Sequence, residues 1–106
     1  TMKKMSLALL VSGCLVFAGP ALAGDAAAGQ DISEDCAMCH GDEGWGDEDY
    51  PGIAGMAEAD FIQAMKEYQD GTREDKSMKK QVKGLSEDDL ANLAAYYATL
   101  EKAADE

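Results

Sequence analysis

Cys36, Cys39 and His40 are the residues of this chain whose types and spacing can do chemistry together. Two thiols three positions apart stand about one helical turn from each other. Each can add to one vinyl group along the same edge of a porphyrin, and the imidazole that follows directly then lies under the iron. Cys36-Ala37-Met38-Cys39-His40 is thus a C-x-x-C-H run, the signature of covalent haem attachment. His40 would supply one axial ligand. A methionine on the opposite face belongs to electron transfer and raises the potential. Other readings of the pair are weaker. A thioredoxin-like couple should sit on a βαβ pattern, and no convincing strand is found. Structural zinc usually takes four Cys or His ligands, and beyond the leader only Cys36, Cys39 and His40 are available. A disulfide over so short a loop gains little entropy.

The opposite ligand must come from the methionines. Met38 lies between the two thiols and cannot reach round the ring. Met56 precedes a helix too closely, and Met65 falls in an apolar helical stripe. Met78 stands in a polar segment, where an apolar side chain otherwise has little reason to be. It is the candidate sixth ligand, against the alternative of a loop residue filling a gap. A ligating histidine also needs an acceptor for its other ring nitrogen. Pro51 lacks an N–H but keeps a free carbonyl, and is the candidate acceptor. Trp45 either packs on the haem edge or its propionates, or is a partly exposed loop aromatic.

The first 23 residues read as an address. Lys3 and Lys4 form a positive start, an apolar run follows from about Leu7 to Ala18, and Pro20 precedes Ala21-Leu22-Ala23. That is a secretory signal peptide cleaved after Ala23, with an apolar run too short to span a bilayer. Val11-Ser12-Gly13-Cys14 resembles a lipoprotein acylation site, but the apolar run continues past Cys14 through Leu15 to Ala18. Export to a bacterial periplasm is therefore expected, with acylation at Cys14 the less favoured alternative. Residues 24–106 form one domain with no transmembrane segment. It keeps seven of the nine basic residues against all 21 acidic ones, which argues against nucleic acid and anionic membrane partners. A domain of this size has a marginal core by itself, and a buried porphyrin would add the missing apolar surface.

The elements that must position the site read as helices. Gly24 to Cys36 is the first, with Gly29, Ile32 and Cys36 on one face. Gly29 there implies either close contact with another helix or a frayed turn. Gly41 to Gly55 is an acidic, glycine-rich loop without calcium-loop spacing. Ala59 to Asp70 carries the stripe Phe61, Ala64, Met65 and Tyr68, and ends at Gly71. Thr72 to Gly84 reads as irregular. It holds Arg73, Lys76, Lys79, Lys80 and Lys83, which are either a solvated run or a docking face for redox partners. Ser86 caps a last helix through Leu90, Leu93, Ala94, Tyr97 and Leu100 to about Lys102, with Leu85 and Leu90 as a staple.

Four segments in this order resemble small bacterial class I cytochromes c over nearly all of residues 24–102. They are Cys36 to Gly41; Pro51-Gly52-Ile53-Ala54-Gly55, with Ile53 in the usual leucine place; Gly71-Thr72-Arg73 ahead of Met78; and Gly84 to Asp89 running into Leu93 to Ala98. The resemblance implies an all-α fold of three main helices around one haem c. It implies thioethers at Cys36 and Cys39, and His40 and Met78 on the iron. Pro51 would orient His40, Ile53 would line the pocket, and Gly29 would cross against Tyr96 or Tyr97. The implied function is one-electron transfer, not catalysis. Pro51 to Tyr68 is also similar to the haem domain of flavocytochrome c sulfide dehydrogenase, so an electron-accepting enzyme subunit is the alternative. An open-site haem sensor or enzyme would require Met78 to be off the iron. Ala64 departs from the glutamine common among the small cytochromes.

Overall fold

The computed structural model describes residues 24–104. The expected signal peptide, its cleavage site and Cys14 lie outside them. Among the described residues there are four helices and no strands: α1 Ala26–His40, α2 Glu58–Asp70, α3 Lys76–Val82 and α4 Glu87–Ala98. No helix among them is long and apolar enough to cross a membrane. The all-α class and the three longer helices match the sequence reading; α3 is an addition.

α1 starts at Asp25, whose Oδ1 accepts from the N–H groups of Ala27 (2.9 Å) and Ala28 (3.3 Å). It does not stop at Cys36. Nothing from Ala37 to His40 breaks a helix, and the first residue that ends it is Gly41, at φ 90°. The whole C-x-x-C-H run therefore lies on the last turns of α1. α4 is shorter than its apolar stripe suggested and ends at Ala98, not Lys102. The Tyr97 carbonyl accepts from Leu100 N–H at 3.1 Å and from Gly55 N–H at 2.8 Å, so the chain leaves the helix there.

α3 replaces the irregular segment expected between Thr72 and Gly84. Asp75 caps it, accepting from Met78 N–H at 3.0 Å, and Lys79 and Lys80 stand in its last turn. Val82 is its one buried residue, and the apolar spacing of Met78, Val82 and Leu85 is short and set among lysines, which is why the segment reads as irregular.

α1 and α2 both pack on α4, and α3 packs on α2. The core is Phe61, Ala64 and Met65 of α2, Val82 of α3, and Leu90, Leu93, Ala94 and Tyr97 of α4. Phe61 stacks on Tyr97 with ring centroids 5.7 Å apart. Gly29 does meet another helix, but not at Tyr96 or Tyr97. A Cβ on Gly29 would fall on the Asn92 carbonyl, one turn earlier on α4. Asp25 N–H donates to Asn92 Oδ1 at 2.8 Å, which helps to fix that register.

α4 begins with a reciprocal cap. Ser86 Oγ accepts from Asp89 N–H and Asp89 Oδ2 accepts from Ser86 N–H, each at 3.0 Å. Ser86→Ala is expected to cost about 1 kcal/mol. Thermal unfolding of the haem-loaded protein should then show a midpoint lower by about 4–8 °C.

Candidate functional site

The site is built on the end of α1 and the loop that folds back under it. Gly46 N–H donates to the His40 carbonyl at 2.7 Å, and Gly44 accepts from Ile53 N–H and Ala54 N–H. Asp47 Oδ1 accepts from the N–H groups of Asp49 and Tyr50 and tightens the tip. Gly46 has φ 70°, and a Cβ there would strike the Tyr50 carbonyl and Pro51. Glycine at 46 thus lets Pro51 approach α1.

The consequence is one short hydrogen bond. His40 is buried, and its Nδ1 lies 2.7 Å from the Pro51 carbonyl oxygen. A carbonyl only accepts, so Nδ1 must carry the proton. In the neutral ring Nε2 then keeps its lone pair, the state a metal-ligating imidazole needs. The Tyr50 ring stands edge-on to the imidazole at 6.2 Å.

Cys36 and Cys39 are free thiols with different surroundings. Cys36 is half-buried against the core, and burial pushes its thiol pKa up. The Tyr97 hydroxyl hydrogen-bonds it and opposes part of that rise. Tyr97 is itself buried, and burial raises its pKa well beyond the ordinary phenol value. Cys39 is exposed, beside Tyr50, whose pKa is raised chiefly by that thiol's charge. Nothing in the sequence pattern singles out the Tyr97 hydroxyl beside Cys36, because Tyr97 reads simply as part of an apolar stripe.

Met78 is the third residue of α3, half-buried against the core cluster. Ile53 and Met56 are half-buried against the same cluster, Met65 is within it, and Met38 is 84% exposed. Trp45 is a partly exposed loop aromatic whose Nε1 donates to the Glu101 carbonyl at 2.9 Å. It ties the loop to the chain beyond α4. Lys76, Lys79, Lys80 and Lys83 are exposed along α3, whereas Arg73 is bound to Glu67, with its Nη2 2.9 Å from Glu67 Oε1.

The donor set fits a covalently held haem: two uncommitted thiols at the attachment spacing, an imidazole with Nε2 open, and a half-buried thioether on a separate helix. Among the described residues, no three His, Cys, Asp or Glu side chains converge as a competing metal site.

A helical domain with this donor set at the end of its first helix defines the class of small haem-attaching electron-transfer proteins. Residues 26–101 match the model of the cytochrome c family, and the chain belongs to that family. It is 40% identical over 83 residues to cytochrome c-554(548) of Halomonas halodenitrificans, an alignment covering 74% of this chain and 100% of that protein. It is 37% identical to cytochrome c4 of Pseudomonas aeruginosa over 92% of this chain and 49% of the relative, so it spans about half of that protein's length. The fold superposes on part of the thiosulfate dehydrogenase of Marichromatium purpuratum with a TM-score of 0.70 and 27% identity, covering 74% of this chain and 19% of that one. The chain is accordingly an electron carrier with c-type haem, and not itself an enzyme.

Proposed function

We propose that the chain is a periplasmic one-electron carrier with a single haem c. Cys36 and Cys39 would hold the haem, and His40 and Met78 would bind the iron from opposite faces. The observation that carries this reading is the 2.7 Å bond from His40 Nδ1 to the Pro51 carbonyl, directly after two free thiols. Each thiol would add across one vinyl group, sulfur bonding one carbon and the thiol hydrogen passing to the other. Pro51 keeps the imidazole in the tautomer that leaves Nε2 open, and raises its basicity as a ligand. Ile53, Met56 and Met78 present apolar surface from three segments around the same core. The bound haem supplies a ferric/ferrous couple, and with both axial positions filled by the chain little structure has to move during transfer.

Delivery to the periplasm would follow from residues 1–23 as a leader cleaved after Ala23, leaving residues 24–106 as the mature domain. A mature N-terminus at Gly24 would support this, and an acylated Cys14 would replace it with membrane anchoring.

Absorption spectra of the purified protein, oxidised and reduced, with and without carbon monoxide, test the haem reading. The expected result is a low-spin c-type spectrum, a weak far-red sulfur-to-iron band when oxidised, and no carbon monoxide shift. A high-spin spectrum or ready carbon monoxide binding would move the open-site sensor or enzyme ahead.

The thiosulfate dehydrogenase likeness favours a second reading, in which the chain accepts electrons as a subunit or partner of an oxidoreductase. The flavocytochrome resemblance of Pro51 to Tyr68 points to the same role. In either case α3 offers a docking face. Among the described residues, Lys76, Lys79, Lys80 and Lys83 form no ion pair in a strongly acidic chain. Such charges act mainly on encounter. Lys76→Glu combined with Lys80→Glu is expected to slow electron transfer with an acidic partner about tenfold at low salt and to flatten its ionic-strength dependence. Stopped-flow kinetics over a salt series check this.

A further inference from the structure

We propose that Gln69 is a positioning residue for Met78, holding the end of α3 through a forked amide. The proposal rests on the reading of Met78 as an iron ligand. α3 has seven residues, too few to be stable by themselves. Its last carbonyls need partners, and its C-cap, Lys83, is in the right-handed helical conformation, without the left-handed turn that usually satisfies them.

Gln69 of α2 supplies one to the Val82 carbonyl, which also accepts from Leu85 N–H at 3.1 Å, and ties down the turn that follows. Its Nε2 donates to the Val82 carbonyl at 2.8 Å and to the Leu85 carbonyl at 3.1 Å. Both amide hydrogens are thus used on the exit of α3, across 13 and 16 positions of chain, and both bonds are part-buried. The entry is tied to the same two turns of α2. Arg73 Nε and Nη2 donate to Glu67 Oε1, Arg73 N–H donates to the Glu67 carbonyl, and its guanidinium lies 5.4 Å from the Tyr68 ring centre. Met78 therefore hangs midway between two attachments to α2. The Arg73 side-chain contacts are exposed, and such pairs contribute little. The Gln69 fork is more sheltered, so it sets how freely α3 moves.

Gln69→Leu removes both donors and keeps an apolar volume. Gln69→Glu keeps the shape but turns a carboxylate toward two carbonyls, and stands in should the leucine variant fail to fold. In the haem-loaded protein, amide hydrogen exchange of residues 79–82 is expected to speed up about tenfold, the factor given by losing one to two net hydrogen bonds. α1 and α4 should keep their protection. The far-red sulfur-to-iron band should weaken, and the reduced protein should gain carbon monoxide binding by a similar factor. Unchanged exchange in α3 with no carbon monoxide binding would overturn the proposal. So would a loss of protection spread over all four helices, which would make Gln69 a general packing residue. Met78→Ala separates the two readings. If it keeps the far-red band, the ligand assignment fails, while exchange in α3 still reports on the fork.

Discussion

Met78→Ala is expected to abolish the far-red band, open the iron to carbon monoxide and lower the reduction potential on the order of 0.1 V, a fraction of the span that axial ligands command. Replacing the thioether by solvent or a stronger donor removes the preference for the ferrous state that methionine confers. The fold should survive. Met78 is only half-buried on a short helix, so truncating it should cost less than the roughly 2–5 kcal/mol of a fully buried methionine. Two other methionines make the test discriminating. Met65 lies in the core of α2, and Met65→Ala should lose stability with the far-red band intact. Met56 is half-buried beside the same cluster, and Met56→Ala should leave potential and band nearly unchanged. If the pattern falls on Met56 in place of Met78, the ligand assignment moves with it. Potentiometry and oxidised spectra of the three variants settle the matter together.

What the sequence made legible was local. The attachment spacing, the stripe of Phe61, Ala64 and Met65, and the Ser86 cap all depend on residues within one or two turns of each other. A partner carbonyl for His40 could be sought because proline has a free C=O and a ligating histidine needs an acceptor; the distance itself comes from the Gly46 turn. What stayed hidden depends on bonds between distant segments. α3 has a single fully buried apolar residue and only a short apolar spacing through Met78 and Val82, and its exit is tied by Gln69, thirteen positions before Val82. α4 stops at Ala98 because Gly55, from the loop, takes part of the Tyr97 carbonyl. The packing of Cys36 against the cluster that holds Tyr97 joins helices at opposite ends of the chain. The likeness to the family carried the correct helical class, but not the partner of Gly29, because the register of that crossing depends on a bond between distant segments, Asp25 N–H to Asn92 Oδ1.

That register sets up the largest expected effect on stability. Gly29→Ala should lower stability by about 3 kcal/mol, at the upper end of what overpacking a filled interface costs. The Cβ would land on the Asn92 carbonyl, with Asn92 C and Leu93 N beside it, and these are backbone atoms that no rotamer change can move aside. The roughly 1 kcal/mol that alanine gains over glycine in a helix offsets only part of the clash. α1 must shift away from α4, and α1 is the helix that carries Cys36, Cys39 and His40. The unfolding midpoint of the haem-loaded protein should drop by roughly 10–20 °C for a domain of this size. Gly84 is the control. A Cβ there meets nothing within 4 Å, and its φ is not in the left-handed range. Gly84→Ala should therefore be neutral or stabilise by about 0.4–1 kcal/mol through the unfolded chain. Equal effects from the two substitutions would mean that the helices can separate freely, and that the close crossing is not what holds the attachment helix in place.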